Sequence, residues 1–331
     1  MKVKKPPLTN SMKKNDNKTL IVVLGPTAVG KTALSIALAK KYKTEIISAD
    51  SRQFFKELSI GTAKPSPVEL AEVPHHFIGT HSIHENLNIG WYEDAAMACI
   101  TTLFKTKDML ILTGGSGLYI NAVCEGLDAL PEGNETLRAE LNETLKTKGL
   151  SALGAQLKTL DPLYFSQVDP SNPHRIIRAL EVCLLTGKPY SSFRIKTKKE
   201  RPFSILKIGL SLPRENLYQR INTRVDVMLE SGLIAEAKSM LADRHCNALQ
   251  TVGYTELFDF FDGKYTLEEA VTKIKQHTRH YAKRQMTWFK KDETISWFHP
   301  EEMDLIIKKI TSLFQSQEHH PPVPAHRATH Q

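Results

Sequence analysis

The residues best suited to chemistry form one short run. Gly25, Pro26, Thr27, Ala28, Val29, Gly30, Lys31 and Thr32 read GPTAVGKT and fit the pattern GxxxxGK[ST]. The glycines let backbone N–H groups converge on an anionic oxygen, and a helix starting behind them adds the positive end of its dipole. Lys31 supplies a mobile positive charge, and the Thr32 hydroxyl suits Mg2+. Such a P-loop binds phosphate. By itself it says neither whose phosphate nor which bond breaks.

The elements around this run must position it. Leu20 to Leu24 is a β-branched apolar run stopped by Gly25 and Pro26, which predicts a buried strand. A helix over residues 32–41 and a second strand over 45–48 complete a parallel βαβ unit. Further strands are expected over 109–113 and 203–212, the latter followed by a helix over 215–230. In an open parallel sheet, ligands bind beyond the carboxyl ends of the strands. The segments ISADSRQ (residues 47–53) and TGGSGLY (residues 113–119) should therefore share one rim with the P-loop. That rim brings Asp50, Ser51, Arg52, Gln53 and Ser116 near the phosphate. Asp50 is its natural general base, with a turn or helix cap as the alternative reading. The strand MLILT runs into TGGSG with no acid at its end, which counts against ATP hydrolysis.

Between residues 126 and 199 no good strand is found, and helices are expected over 136–148, 151–160 and 174–185. The fold expected is therefore α/β. It has a P-loop NTPase-like parallel sheet core flanked by helices, formed from residues 19–125 and 200–314 and interrupted by a helical insertion domain over 126–199. Residues 1–18 are polar and lysine-rich, and 315–331 carry prolines and histidines without periodicity; both are expected to be disordered.

The 331 residues carry a net charge of +8, which favours a polyanionic partner or a multiply phosphorylated ligand. Cys99, Cys124, Cys183 and Cys246 form no CxxC or zinc-spaced cluster, as in a reducing cytoplasm. No apolar stretch approaches the roughly 20 residues that span a bilayer, and the N-terminus lacks an apolar signal core. The charge concentrates in residues 273–291, KIKQHTRHYAKRQMTWFKK, which contain no acid. On a helix Lys275, Arg279 and Lys283 form one stripe, while Ile274, Tyr281 and Trp288 fall seven apart on another face. The stripe is read as a polyanion contact, against the alternative of a solvated charged face. Arg284 follows it. Arg220 and Arg224 share a face of the 215–230 helix, and Arg175 and Arg178 open the 174–185 helix, where Arg178 can pair with Glu181.

Taken together, these segments resemble the tRNA dimethylallyltransferases, of bacterial type. The resemblance runs from about residue 20 to residue 297. It rests on GPTAVGKT, ISADSRQFFKELSIGTAKP, PHHF, GGSGLY, HRIIRALEV, RINTRVDVML, VGYTEL and TRHYAKRQMTWF in that order. It implies transfer of a dimethylallyl group from dimethylallyl diphosphate to N6 of adenosine 37 in tRNA, with release of diphosphate. The P-loop would hold the diphosphate with Mg2+ on Thr32. Asp50 would accept the N6 proton. Ser116 stands where many members carry Thr, and Arg224, with Arg220 as the alternative, would meet the diphosphate. Ser51, Gln53, Arg175, Arg279, Lys283 and Arg284 would contact the tRNA, and the insertion would clamp the anticodon arm. A cytoplasmic monomer with no membrane partner is expected. The stretch GTHSIHENLNIGWYEDA (residues 79–95) departs from the family pattern, and the C-terminal zinc finger of eukaryotic members has no counterpart.

The alternatives are a P-loop small-molecule kinase and an RNA-binding protein with a vestigial P-loop. Asp50→Ala tests the catalytic reading. Turnover is expected to fall by roughly 10²–10⁴-fold, the usual contribution of a general base, while tRNA still binds in a gel-shift assay. Unchanged turnover would remove Asp50 as the base.

Overall fold

In the computed structural model of the chain, residues 18–195 and 198–318 are described. They divide into two compact units, the first comprising described residues 18–124 and 200–318 and the second 125–195 and 198–199.

The first unit is built on a parallel sheet. Its strands are β1 (Thr19–Leu24), β2 (Ile46–Ser48), β3 (His75–His76), β4 (Met109–Gly114), β5 (Ser204–Leu210) and β6 (Ser296–Phe298), in the order β3-β2-β4-β1-β5-β6. Every neighbouring pair is parallel. β1 sits between β4 and β5, and all of its residues are buried. A strand covered on both faces has no solvated side, which is why its sequence is a continuous apolar run without alternation. One face packs Ile21 and Val23 against Leu34 and Leu38 of α1 (Lys31–Tyr42). The other packs Leu20 and Val22 against Tyr92, Ala96 and Ile100 of α3 (Ile89–Leu103). The short α2 (Pro67–Glu72) precedes β3, and α4 (Gly117–Glu125) follows β4.

The register fixes where the loops emerge. Leu24 pairs with Gly114 on one side and Gly209 on the other, and Ser48 pairs with Thr113. The chain therefore leaves β1, β2 and β4 along one edge. Gly25 has φ +146, and a Cβ there would lie 2.6 Å from the Leu210 carbonyl oxygen, so only glycine lets the P-loop turn past β5.

The second unit contains α5 (Glu135–Leu160), α6 (Pro162–Phe165) and α7 (Pro173–Thr186), and no strand among its described residues. α5 is broken at Gly149, whose φ of 78 is not helical, so the expected pair of helices meets there. Leu141, Leu153, Leu157, Ile176 and Leu180 form the unit's core. Glu181 is fully buried within it and accepts from Arg138 at 2.9 Å, Arg178 at 2.7 Å and the Asn134 N–H at 2.8 Å. The three donors compensate the loss of water that would otherwise make a buried carboxylate costly.

The remainder of the first unit is helical. α8 (Arg214–Glu230), α9 (Leu233–Ser239), α10 (Tyr254–Phe261), α11 (Leu267–Phe289) and α12 (Met303–Glu318) follow β5. α11 starts at a capping box in which Thr266 and Glu269 satisfy each other's backbone N–H groups. Two expectations about the termini are corrected. Residues 315–318 continue α12 instead of a disordered tail, because the amphipathic repeat that buries Ile306 and Ile310 carries the helix on. Lys18 is likewise ordered: its Nζ reaches Asp108 at 2.8 Å and its carbonyl accepts from the Ser204 N–H. Residues 1–17 and 319–331 lie outside the described residues, as do the tail histidines His319, His320, His326 and His330. Among the described residues no helix is long and apolar enough to cross a membrane.

Candidate active site

A cavity opens where β1, β2 and β4 end. Thr27, Lys31 and Thr32 line it from the P-loop, Ser48, Asp50 and Gln53 from the end of β2, and Thr113 and Gly114 from the end of β4. Two elements from late in the chain close it: Arg224 comes from α8, and Tyr281 and Gln285 from α11.

Lys31 folds back along the P-loop and donates to the carbonyl oxygens of Gly25 at 3.1 Å and Pro26 at 2.8 Å. Neither oxygen carries a charge. Burial lowers the ammonium to a pKa of about 8, with Asp50 acting the other way and Arg224 adding to the depression. Holding the charge there costs on the order of 3 kcal/mol relative to water, a cost that an incoming anion offsets. Ala28 takes a left-handed backbone at φ 65, and Gly30 caps α1 at φ 113, so the loop curls around the point the helix faces. Val29 is buried against the core, while Pro26 accepts from both Lys31 and the Val29 N–H.

Asp50 sits in an Asx-type turn: its Oδ1 accepts from the Arg52 N–H at 3.1 Å, and its own N–H donates to Ser48 Oγ at 3.3 Å. The cap and base readings are therefore compatible, since the capping bond uses one oxygen and the carboxylate has two. Burial pushes the carboxyl up, against the pull of the Arg52 N–H and Lys31, which makes it a stronger proton acceptor than a solvated aspartate.

Gln285 is the pin of the site. Its Oε1 accepts from the Thr27 N–H at 2.8 Å and its Nε2 donates to the Gly115 carbonyl at 2.8 Å, joining the P-loop to the loop after β4. A Cβ on Gly115 would lie 2.3 Å from Gln285 Nε2, so the bridge requires glycine at that point. The Tyr281 hydroxyl, pushed up to about 12 by burial beside Asp50, bonds with Ser116. Arg224 reaches Thr27 Oγ1 at 3.5 Å, and burial next to Arg220 depresses it. Arg220 instead lies by Gly30, 3.8 Å from where a Cβ would be. Both arginines thus face the P-loop, and Arg224 is the one lining the cavity.

Other expected rim residues are placed differently. Gln53 lines the cavity, but its amide holds the carbonyls of Thr62 at 3.2 Å and Ala63 at 3.0 Å. Arg52 points away, donating to the carbonyls of Asn247 at 2.7 Å and Gln250 at 3.3 Å. Ser51 is half-buried and does not line the cavity, and Ser116 reaches it only through Tyr281.

The acid-free basic segment is corrected by its neighbour. Lys275 pairs with Asp226 of α8 at 2.6 Å, and half-buried Arg279 donates to Asn222 at 2.7 Å and stacks over Tyr218. The acid missing from residues 273–291 is supplied across the helix pair. The exposed cations lie further on, where His280, Lys283, Arg284, Thr287, Trp288 and Lys291 line a shallow groove on one helix face. Arg175 is exposed in the first turn of α7.

The family model described as IPP transferase matches residues 53–292. The chain belongs to this family. It is 50% identical over 299 residues to tRNA dimethylallyltransferase 1 of Bacteroides fragilis, covering 90% of this chain and 98% of the relative. It is 51% identical over 283 residues to tRNA dimethylallyltransferase of Christiangramia forsetii, covering 86% and 94%. Among solved structures it superposes on the tRNA isopentenylpyrophosphate transferase of Bacillus halodurans with a TM-score of 0.68 at 37% identity, covering 92% of this chain and 100% of that one. It also superposes on a eukaryotic dimethylallyltransferase acting on tRNA with a TM-score of 0.76 at 26% identity, covering 94% and 82%.

Within this IPP transferase, segment 79–95 packs against the backbone on either side of Asp50. The Gly79 and Thr80 N–H groups bond the carbonyls of Gln53 and Phe54, and Trp91 and Tyr92 join Phe54, Phe77 and Tyr119 in an aromatic cluster. The Tyr92 hydroxyl donates to the Ser48 carbonyl at 2.8 Å, supporting the backbone just before Asp50. Sequence reading missed Tyr281 and Gln285. Their signal was present: they are four apart on α11, the same-face spacing, inside TRHYAKRQMTWF, but the surrounding charges drew the reading.

Lys31 sets a pH dependence. Its pKa is lowered to about 8, so it is charged below that value and neutral above it. Affinity for inorganic diphosphate, measured by calorimetry, is expected to weaken as pH rises through about 8, and binding above that pH should take up a proton. In Lys31→Met this dependence should vanish along with most of the affinity. An affinity flat across that range would show that Lys31 does not meet the anion.

Proposed function

We infer that the chain transfers the dimethylallyl group of dimethylallyl diphosphate to N6 of adenosine 37 in tRNA, releasing diphosphate. The observation that carries the reading is the sharing of one cavity by the P-loop lysine and Asp50, an anion holder beside a single buried carboxylate. In the reaction N6 attacks the first carbon of the donor, the carbon–oxygen bond to diphosphate breaks, and the N6 proton passes to Asp50. The P-loop N–H groups, Lys31 and Arg224 stabilise the charge that develops on the leaving diphosphate. Ser116 acts through Tyr281, which it orients beside Asp50. The aromatic cluster of Phe54, Tyr92 and Tyr119 supports the backbone beside Asp50 through the Tyr92 hydroxyl on the Ser48 carbonyl.

The oxygen donors in the cavity suit Mg2+, which prefers hard ligands and completes its shell with water and substrate phosphates. Thr32 would hold it, with Ser48, Asp50 and Thr113 as the other protein oxygens. When bound, the ion supplies charge neutralisation on the diphosphate.

For the tRNA we propose contacts from Gln53 and Ser51 on the β2 loop, from the exposed Lys283 and Arg284, and from Arg175 on the helical insertion, which grips the anticodon arm. Arg279 serves the α8–α11 packing instead. The protein acts as a cytoplasmic monomer, the compartment being supported by four cysteines that are all free thiols.

Incubation with labelled dimethylallyl diphosphate, Mg2+ and a tRNA bearing adenosines at 36 and 37 tests the reading. Label on adenosine 37 is expected. No label on tRNA, with the γ-phosphate of ATP moving to a small metabolite, would overturn it in favour of a kinase.

The tRNA surface has its own test. Lys283→Ala with Arg284→Ala should flatten the slope of log affinity against log salt by roughly 1.5, the change expected when two phosphate contacts are lost. Arg279→Ala should leave the slope near that of the parent. An unaltered slope in the double variant would return the groove to a solvated face.

A further inference from the structure

Away from the catalytic cavity, three metal-ligating side chains of different chemistry converge. His84 lies in the turn between β3 and α3, and Asp243 and Cys246 lie in the segment between α9 and α10. His84 Nε2 is 3.8 Å from Asp243 Oδ1, and the opposite ring nitrogen, Nδ1, is 3.9 Å from Cys246 Sγ, so an ion would take one of these nitrogens and not both. One ligand atom from each residue lies within 4.8 Å of the other two. A tetrahedral zinc with bonds of about 2.0–2.3 Å spaces its ligands about 3.3–3.7 Å apart. Closing the set around one imidazole nitrogen therefore takes side-chain rotation that draws atoms now within 4.8 Å together by about 1 Å.

The backbone holds these residues in place before any ion arrives. Asp243 and Cys246 sit on one tight turn closed by the Cys246 N–H to the Asp243 carbonyl at 2.8 Å. The His84 turn is fixed by Glu57, which accepts from Ser82 Oγ at 2.7 Å and the Ile83 N–H at 3.1 Å. Ile83 is buried in the same cluster as Ala248 and Leu249, so the two segments already pack together. Ordering cost is thereby met by folding, which is what distinguishes a site from a chance meeting of long side chains.

We propose that His84, Asp243 and Cys246 form a binding site for Zn2+ or a similarly thiophilic divalent cation, with water in the fourth position. A thiolate, an imidazole and a carboxylate form a borderline-soft set that suits Zn2+ and not Mg2+ or Ca2+. The site is separate from the Thr32 position, where the donors are all oxygen. Its consequence is mechanical. The ion would tie the loop whose Gly79 N–H holds the Gln53 carbonyl to the segment whose Asn247 and Gln250 carbonyls hold Arg52.

The full chain titrated with Co2+ in place of Zn2+ reads the site directly. One equivalent should produce a thiolate-to-cobalt charge-transfer band in the near ultraviolet, and Zn2+ should displace it. Cys246→Ser should abolish the band. His84→Ala and Asp243→Asn should weaken binding by more than the roughly tenfold that loss of an outer-shell partner costs. Zn2+ should also raise the melting temperature of the parent and not of Cys246→Ser. No band, a band that survives Cys246→Ser, or affinity indifferent to His84→Ala would overturn the proposal. Melting curves of the metal-free variants control for folding. Should a variant misfold, X-ray absorption at the zinc edge of the parent decides, because this site requires one sulfur ligand with nitrogen and oxygen neighbours.

Discussion

The burial of the Lys31 ammonium against neutral carbonyl oxygens is the constraint from which the active site follows. An ammonium withdrawn from solvent and held only by neutral carbonyls is expensive, and burial lowers it to about 8. A fold keeps such a group only if something holds it there and something else uses it. What holds it is the parallel sheet. β1 is buried on both faces and ends at Gly25, whose backbone alone can turn under the Leu210 carbonyl. What could use it is the diphosphate that we propose the cavity binds, since Lys31 and Arg224 line that cavity and the α1 N-terminus faces it. Asp50 is the counterweight. It tempers the cationic cavity and is itself made more basic by the same loss of water.

The rest of the molecule is arranged to keep that edge of the sheet in shape. Gln285 spans the P-loop and the loop after β4 with both ends of one amide, so α11 sets the separation of the two phosphate-facing loops. Glu236 performs the same task one layer out. It accepts from the N–H groups of Ile60 at 2.8 Å and Gly61 at 2.9 Å and from the Tyr254 hydroxyl at 2.6 Å, fixing the loop whose carbonyls engage Gln53. Where a P-loop kinase has an acid at the end of the central strand, this chain has Thr113, which accepts from Ser35 Oγ at 2.9 Å. The absence of that carboxylate fits a site that binds diphosphate as a leaving group.

The helix α11 shows how a charge run divides between packing and binding. Its first cations meet α8, where Asp226 and Asn222 receive Lys275 and Arg279. Its later cations, Lys283, Arg284 and Lys291, line an open groove with Trp288. A buried or paired cation stabilises the helix pair, and an unshielded one releases counterions when a polyanion binds. One helix therefore divides its cations between packing and an open face, with the change falling about midway along it.

Much of this was legible in the sequence because it rests on local rules. A continuous β-branched run bounded by Gly25 and Pro26 dictates a buried strand, and strand–loop–helix order dictates parallel pairing. The carboxyl ends of parallel strands then dictate where Asp50 and the P-loop meet. The motifs in their order were enough to suggest the family. Tertiary structure alone decided the rest. Arg224 and not Arg220 lines the cavity because helix phase and the tilt of α8 are set by packing. Arg52 turns away and Gln285 turns in because their partners are a carbonyl 195 residues away and an N–H group 258 residues away. Lys275 is neutralised by an acid from another helix, and His84 meets Asp243 and Cys246 across more than 150 residues of chain. Hydrogen bonds and ion pairs of this kind depend on distances in space, and the sequence records only distances along the chain.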